Sequence, residues 1–166
     1  MSFRMHFLTA AILLGLNACG SVVSIGKLQP GVATEAEATK VAGRKPEYVW
    51  HNPDGTRTLD YSNQAFSGTT SMFVTVDAAG KVLDIKRIDV DPVNNDVAPG
   101  MSPDQVRRML GSPRTVTTYM AGEEVWDWNT VTIGGPGLLV LLNVYFSGGK
   151  VVRITTKTID LNANRP

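Results

Sequence analysis

Hydrophobic and polar positions along this chain follow two periods in turn, and they do so twice. Over residues 34–43 and 102–111, sixty-eight positions apart, apolar residues fall at helical spacing. They are Ala38, Val41 and Ala42 in one stretch, and Val106, Met109 and Leu110 in the other. Thr34 and Ser102 occupy N-cap positions, with Glu37 and Gln105 three residues on. In that capping-box arrangement each side chain satisfies a backbone N–H left open by the first helical turn. Pro103 stands at the first helical position, where its missing N–H costs nothing. Gly43 and Gly111 end the two helices, and Pro46 and Pro113 prevent their resumption. Each helix is announced by Pro-Gly, at Pro30-Gly31 and Pro99-Gly100.

The period then changes to two. Residues 55–61 align with 122–128 at an offset of 67, setting Asp60 on Asp127 and Tyr61 on Trp128. Residues 72–76 match 142–146, with alternate positions apolar in both. Each run is followed by a Gly-Lys turn, Gly80-Lys81 or Gly149-Lys150, and by a last apolar stretch over 82–85 or 151–154. Glycine turns between alternating runs predict hairpins. The fold class expected is therefore α+β, as two tandem repeats, each a short helical segment packed on an antiparallel β-meander. The boundaries expected are a first, degenerate repeat over 30–88, a linker over 89–98, a second repeat over 99–159 and a tail over 160–166. The linker is rich in Asp and Asn but lacks the glycine and terminal Glu of a calcium-binding loop, so it reads as solvated chain.

The start of the chain carries a different signal. Arg4 precedes ten residues without a charge, Phe7 to Leu16, too short a run to span about 30 Å of hydrocarbon. It ends in Leu16-Asn17-Ala18-Cys19, which resembles a bacterial lipobox, with Asn17 where Ala, Ser or Thr is usual. Residues 1–18 are then a lipoprotein signal peptide, Cys19 the lipid-attachment residue and 19–29 a tether; the plainer alternative is a secretory signal beside a chance cysteine. Cys19 is the only cysteine of the chain, as suits an oxidising compartment where a spare thiol invites wrong disulfides. Acyl chains, at about 0.8 kcal/mol per buried methylene, would make a lasting anchor.

Composition narrows the chemistry. The whole chain has 16 basic and 15 acidic residues and two histidines. No basic excess marks a nucleic-acid binder, and a zinc site built from several Cys or His ligands is excluded, so neither metal nor cofactor is expected. With the signal removed, His51 is the one histidine, and it adjoins the turn sequence Asn52-Pro53-Asp54-Gly55. No nucleophile stands at a telling spacing from a base, and no catalytic residue is assigned. Gly134-Gly135-Pro136-Gly137 lacks the Lys-Ser/Thr ending of a phosphate loop and reads as a hairpin connection.

Taken together, residues 99–113, Trp126 and Trp128, residues 144–146 and Gly149-Lys150-Val151 resemble the BamE/SmpA/OmlA lipoproteins, small outer-membrane proteins accessory to the β-barrel assembly machine. The tandem arrangement is also similar to the β-lactamase inhibitory protein, whose two repeats present a concave sheet to an enzyme. The resemblance implies helical elements packed across one face of an antiparallel sheet. It also implies an outer membrane location on the periplasmic face, with Gly20 rather than Asp after the cysteine. The function expected is a non-catalytic binding or scaffold component of envelope assembly with a protein partner. The alternative is an inhibitor-like or sensor-like module acting on a periplasmic enzyme. This chain departs from the assembly family in having two copies and in lacking a Gln-Gly-Asn-Tyr string before the helices.

The aromatic residues offer two readings. Trp126 and Trp128 share one side of a strand, as do Leu59 and Tyr61. That face is either core beneath the helices or left open for a partner. Outside this stripe, Trp50, Tyr145 and Arg114 are candidate protein-binding anchors. Arg107 and Arg108 are candidates for lipid headgroups or an acidic partner, with a solvated helix face as the plainer reading.

Overall fold

The computed structural model of the protein describes residues 20–93, 95–120, 122–130 and 137–163. The stretch 1–18 expected as a signal peptide, the expected lipid-attachment residue Cys19, most of the glycine-rich connection 134–137 and the last three residues of the tail lie outside these. The fold is α+β, with two four-stranded antiparallel sheets and few helices. A 3-10 helix, Val22–Lys27, and α1, Glu35–Ala42, precede β1 (Tyr48–His51), β2 (Arg57–Ala65), β3 (Gly68–Val76) and β4 (Val82–Asp89). Then follow α2 (Pro103–Leu110), β5 (Thr115–Thr118), β6 (Glu124–Asn129), β7 (Leu138–Ser147) and β8 (Lys150–Asp160). Each sheet is a simple meander, β1-β2-β3-β4 and β5-β6-β7-β8. No helix among the described residues is long and apolar enough to cross a membrane.

Both helices begin as their caps require. Thr34 and Glu37 exchange backbone and side-chain bonds, and Ser102 and Gln105 do the same. Gly43 ends α1 in the left-handed region at φ 73°. Gly111 ends α2 with φ 79° and ψ −173°, an extended-ψ exit that sends the chain along the first sheet.

The first core gathers Ala38 and Ala42 of α1 with Leu59, Tyr61, Met72, Val74, Val76 and Val82. Val22 and Ile25 of the 3-10 helix belong to it as well. The stretch expected as a tether over 19–29 is thus packed from residue 20 onward, where the N–H of Ser21 donates to the Val41 carbonyl. The second core joins Val106 and Leu110 of α2 to Trp126, Trp128, Leu142, Val144, Phe146 and Val151. Val90 lies in this core too; the segment expected as a solvated linker buries its second residue there. The Trp126/Trp128 and Leu59/Tyr61 faces are therefore both core, each covered by a helix.

The layers follow from these contacts. α1 and the 3-10 helix cover one face of the first sheet. The other face of that sheet meets α2, whose apolar side packs on the second sheet. At the end of β2 the two sheets touch directly, where the Asn129 amide donates to the carbonyls of Gln64 and Ala65.

Candidate functional site

The junction between the halves is built from residues of β1, β2 and β3 that point away from α1. Tyr48, Trp50, Asp60, Ser62, Ser71 and Phe73 share this side by strand register. Trp50 packs edge-on against Tyr48 and Phe73, and its indole N–H donates to Asp104 Oδ1 of α2 at 2.5 Å. The Arg107 guanidinium lies between two rings, 4.4 Å from the centre of Tyr48 and 4.5 Å from that of Trp126. Its Nε is buried without a hydrogen-bond partner, so ring faces replace water as its environment. Arg108 stacks on Trp50 and pairs with Asp104. Burial pushes the Asp104 carboxyl up, but the donors from Trp50 and Arg108 and the charges of Arg108 and Arg107 outweigh it and hold it below its usual range.

Three sequence expectations change here. Trp50, expected as a surface anchor, is only 4% exposed and serves the internal junction. Arg107 and Arg108, expected to meet headgroups or an acidic partner, meet Tyr48, Trp126, Trp50 and Asp104 of their own chain.

Beneath the aromatics lies a polar cluster. Asp60, fully buried, accepts from the backbone N–H and the hydroxyl of Ser112, both at 2.7 Å, and from the Ser62 hydroxyl at 2.8 Å. With its proton given to Asp60, Ser62 accepts from the Ser71 hydroxyl at 2.7 Å, and the Leu110 carbonyl oxygen lies 3.2 Å from the same Ser71 oxygen. Burial raises the Asp60 carboxyl above its usual range, a shift that the hydroxyls of Ser112 and Ser62 and the Ser112 N–H oppose and that the Glu47 charge reinforces. The serines and the carboxylate lie close together, but their hydrogen bonds join the two halves. This is a latch between layers.

The outer face of the second sheet brings together two of the three predicted anchors. Register places Thr115, Asp127, Asn143 and Thr155 in one row across the four strands, and Thr117, Val125, Tyr145 and Arg153 in the next. Arg114, just before β5, reaches Asp127 with an ion pair of 2.6 Å, and the Thr115 hydroxyl donates to the same carboxylate. The Arg153 guanidinium sits 3.8 Å from the centre of the Tyr145 ring. Val125, Asp127 and Asn143 at the middle of this face are buried, whereas Arg114, Thr117 and Arg153 at its rim are exposed. The helical elements among the described residues all pack elsewhere.

Asp127 occupies in the second sheet the place Asp60 occupies in the first, on the middle strand and away from the helix of its own half. The first such face is filled by α2 and carries Tyr48, Trp50 and Phe73. The second carries Thr115, Thr117 and Asn143 at the positions aligned with these. The same side of the two middle strands also carries Val125, Leu139 and Leu141, all buried. Sequence reasoning missed Asp127 and Arg153, although Asp127 had been aligned with Asp60. The signal available was that an Asp at the centre of an alternating run needs a partner.

His51 stands exposed at the end of β1, and no group of three or more His, Cys, Asp or Glu side chains with metal-binding geometry occurs among the described residues. Comparison of the chain with protein-family models, with curated proteins and with solved structures finds no match.

Proposed function

We propose that this chain is a lipid-anchored outer-membrane protein facing the periplasm, built as two tandem BamE-like α+β repeats with helices packed on antiparallel meanders. Its role is that of a non-catalytic binding or scaffold component of envelope assembly. The observation that carries the binding reading is the contrast between equivalent faces. The Asp60 face holds a helix, and the Asp127 face, with Tyr145, Arg153 and Arg114 around it, holds none among the described residues. An interface with an apolar core and a charged rim is the usual anatomy of a protein-binding patch. This face sets Val125, Leu139 and Leu141 beside Asp127 and Asn143 within a rim of Arg114 and Arg153.

A photo-reactive residue in place of Arg153 tests this in intact cells. It should crosslink to an envelope protein, while one in place of Ala79, on the first sheet's β3–β4 turn, should not. No specific adduct from the Arg153 position sinks the reading.

A second reading, an inhibitor-like or sensor-like module acting on a periplasmic enzyme, is favoured by the β5–β6 turn. Its Tyr119 and Met120 are 55% and 107% exposed, an apolar tip shaped to enter a cleft. A crosslink from the Met120 position to a soluble enzyme, with none from Arg153, would select it.

A further inference from the structure

Gly20 is pressed against the end of α1. A Cβ added to it would stand 2.4 Å from the Cα and N of Gly43 and 2.7 Å from the carbonyl carbon of Ala42. The neighbouring Ser21 N–H is bonded to the Val41 carbonyl at 2.8 Å. Close packing is therefore already in place at the residue after Cys19. A flexible linker reaches about 5–6 Å times the square root of its length, so an anchor on Cys19 would have about one residue of slack. The end of the molecule around Gly43 must then lie at the headgroups.

The same end of the first sheet is furnished for that position. β2 runs in the sense of α1: Arg57 pairs with Glu35 at the start, Tyr61 reaches Thr39 midway, and the Ser62 carbonyl accepts from Arg44, just past Gly43. β2 then continues to Ala65, beyond the end of the helix, and turns back at Phe66 and Ser67. Phe66 at that tip is 71% exposed. Lys40 and Glu37 line the groove of about 440 Å³ beside Gly20, Ser21 and Ser24, where Glu37 is engaged by Thr34. Lys45 lies two residues beyond Gly43, and the nearby Glu47 is paired with Arg44. Both lysines are exposed. Asp89, at the same end of β4, is taken up by Arg87 and Thr70. The opposite end of the sheet carries Asn52-Pro53-Asp54-Gly55 and Asp77-Ala78-Ala79-Gly80, two turns without an aromatic residue, with the exposed Val32 beside the second of them.

We propose that the end of the first sheet bearing Gly20, Lys40, Lys45 and the Phe66 turn docks on the surface of a phospholipid bilayer. Phe66 enters the interface, and the lysine stems lie along it with their ammonium groups among the phosphates. This rests on the lipid-anchor reading of Cys19. It fixes the orientation of the protein: the β3–β4 turn and the β1–β2 turn point away from the membrane.

The test uses the mature protein in vesicles of phosphatidylcholine and phosphatidylglycerol, with a fluorescent bimane on Ser67→Cys or on Ala79→Cys. Lipids carrying a doxyl quencher should quench the label at position 67 several-fold more than that at 79. Equal quenching at the two sites, or stronger quenching at 79, overturns the orientation. The mass of the same protein reads acylation independently. An unmodified Cys19 overturns the anchor, whereas acylated protein with equal quenching overturns the docking alone.

Discussion

Trp50 and Asp104 are 54 positions apart in sequence and 2.5 Å apart in space, joined by the indole N–H and a carboxylate oxygen. One belongs to the first strand of the first sheet and the other to the first turn of α2, the helix whose apolar side covers the second sheet. The bond ties a helix to the sheet of the preceding half. Around it the rings of Tyr48, Phe73 and Trp126 and the guanidinium groups of Arg107 and Arg108 close the junction.

Trp50→Phe should keep most ring contacts and lose this bond, at a cost of about 1.5–3 kcal/mol for a hydrogen bond to a charged group. Trp50→Ala should cost about 3–5 kcal/mol, because a cavity is added. For a domain of this size each kcal/mol lowers the melting temperature by about 2–4 °C. A Trp50→Ala protein that melts with the wild type would return this residue to the surface role expected from sequence.

Gly111 and Gly100 make a second test, since both have positive φ, 79° and 90°. Nothing stands within 4 Å of a Cβ at Gly100, but a Cβ at Gly111 would come within 1.8 Å of Ser71 Oγ and 2.5 Å of Ser71 Cβ. Gly100→Ala should cost about 1–2 kcal/mol, the left-handed penalty alone. Gly111→Ala should add about 1–3 kcal/mol of overpacking to that. Urea titrations that find the two equally damaging would show that α2 does not approach the first sheet this closely.

The buried carboxyl of Asp60 gives a pH dependence with a definite sign. Its value in the folded chain is raised, so the folded state binds the proton more tightly than the unfolded state. Its contribution to stability is then greatest below about pH 4, the ordinary aspartate range, and declines as pH rises through the raised value. The stability of the wild type relative to Asp60→Asn should fall between about pH 4 and pH 7. A difference that grows over that interval would mean that the Ser112 and Ser62 hydrogen bonds outweigh burial and that Asp60 favours its ionised form.

Local rules made much of this fold legible. The capping boxes at Thr34 and Ser102 depend on residues three apart, and the alternation around Trp126 and Trp128 depends on residues two apart. Each of the two helices, and the three longer strands of each sheet, carried its own signal. The first strand of each sheet did not. β5 is Thr115-Val116-Thr117-Thr118, exposed throughout, with no alternation to betray it. The 3-10 helix was hidden in a stretch that composition made look like a tether. The role of Trp50 was illegible for a different reason: its partners Asp104 and Arg108 are assigned by how the halves stack, which no short-range pattern encodes. Tyr145 and Arg114 were chosen as exposed candidates singly. Their place on one face required the register of β5, β6, β7 and β8.

That shared face yields the last prediction. Tyr145 is held by Arg153 and Arg114 by Asp127, yet neither side chain lies in either hydrophobic core. Arg114→Ala leaves the Asp127 carboxylate, only 12% exposed, with the Thr115 hydroxyl but without its cation, so stability should fall by about 1–3 kcal/mol, more than for a surface pair. Tyr145→Ala removes a ring over which one cation rests, a contact of about 0.5–1 kcal/mol at an exposed site. Interface anchors behave otherwise: an aromatic or arginine at the centre of a protein interface commonly contributes 2 kcal/mol or more, roughly 30-fold in affinity. Tyr145→Ala should therefore weaken capture of the crosslinked envelope partner by at least about ten-fold while moving the melting temperature by only a few degrees, whereas Arg114→Ala, at the rim, should weaken capture less and lower the melting temperature more. Capture measured on purified partner, beside melts of the same variants, separates the two effects. A Tyr145→Ala protein that melts far below the wild type places this ring in the structure of the sheet. Variants that melt normally and bind normally move the partner off this face and toward the Tyr119 and Met120 turn.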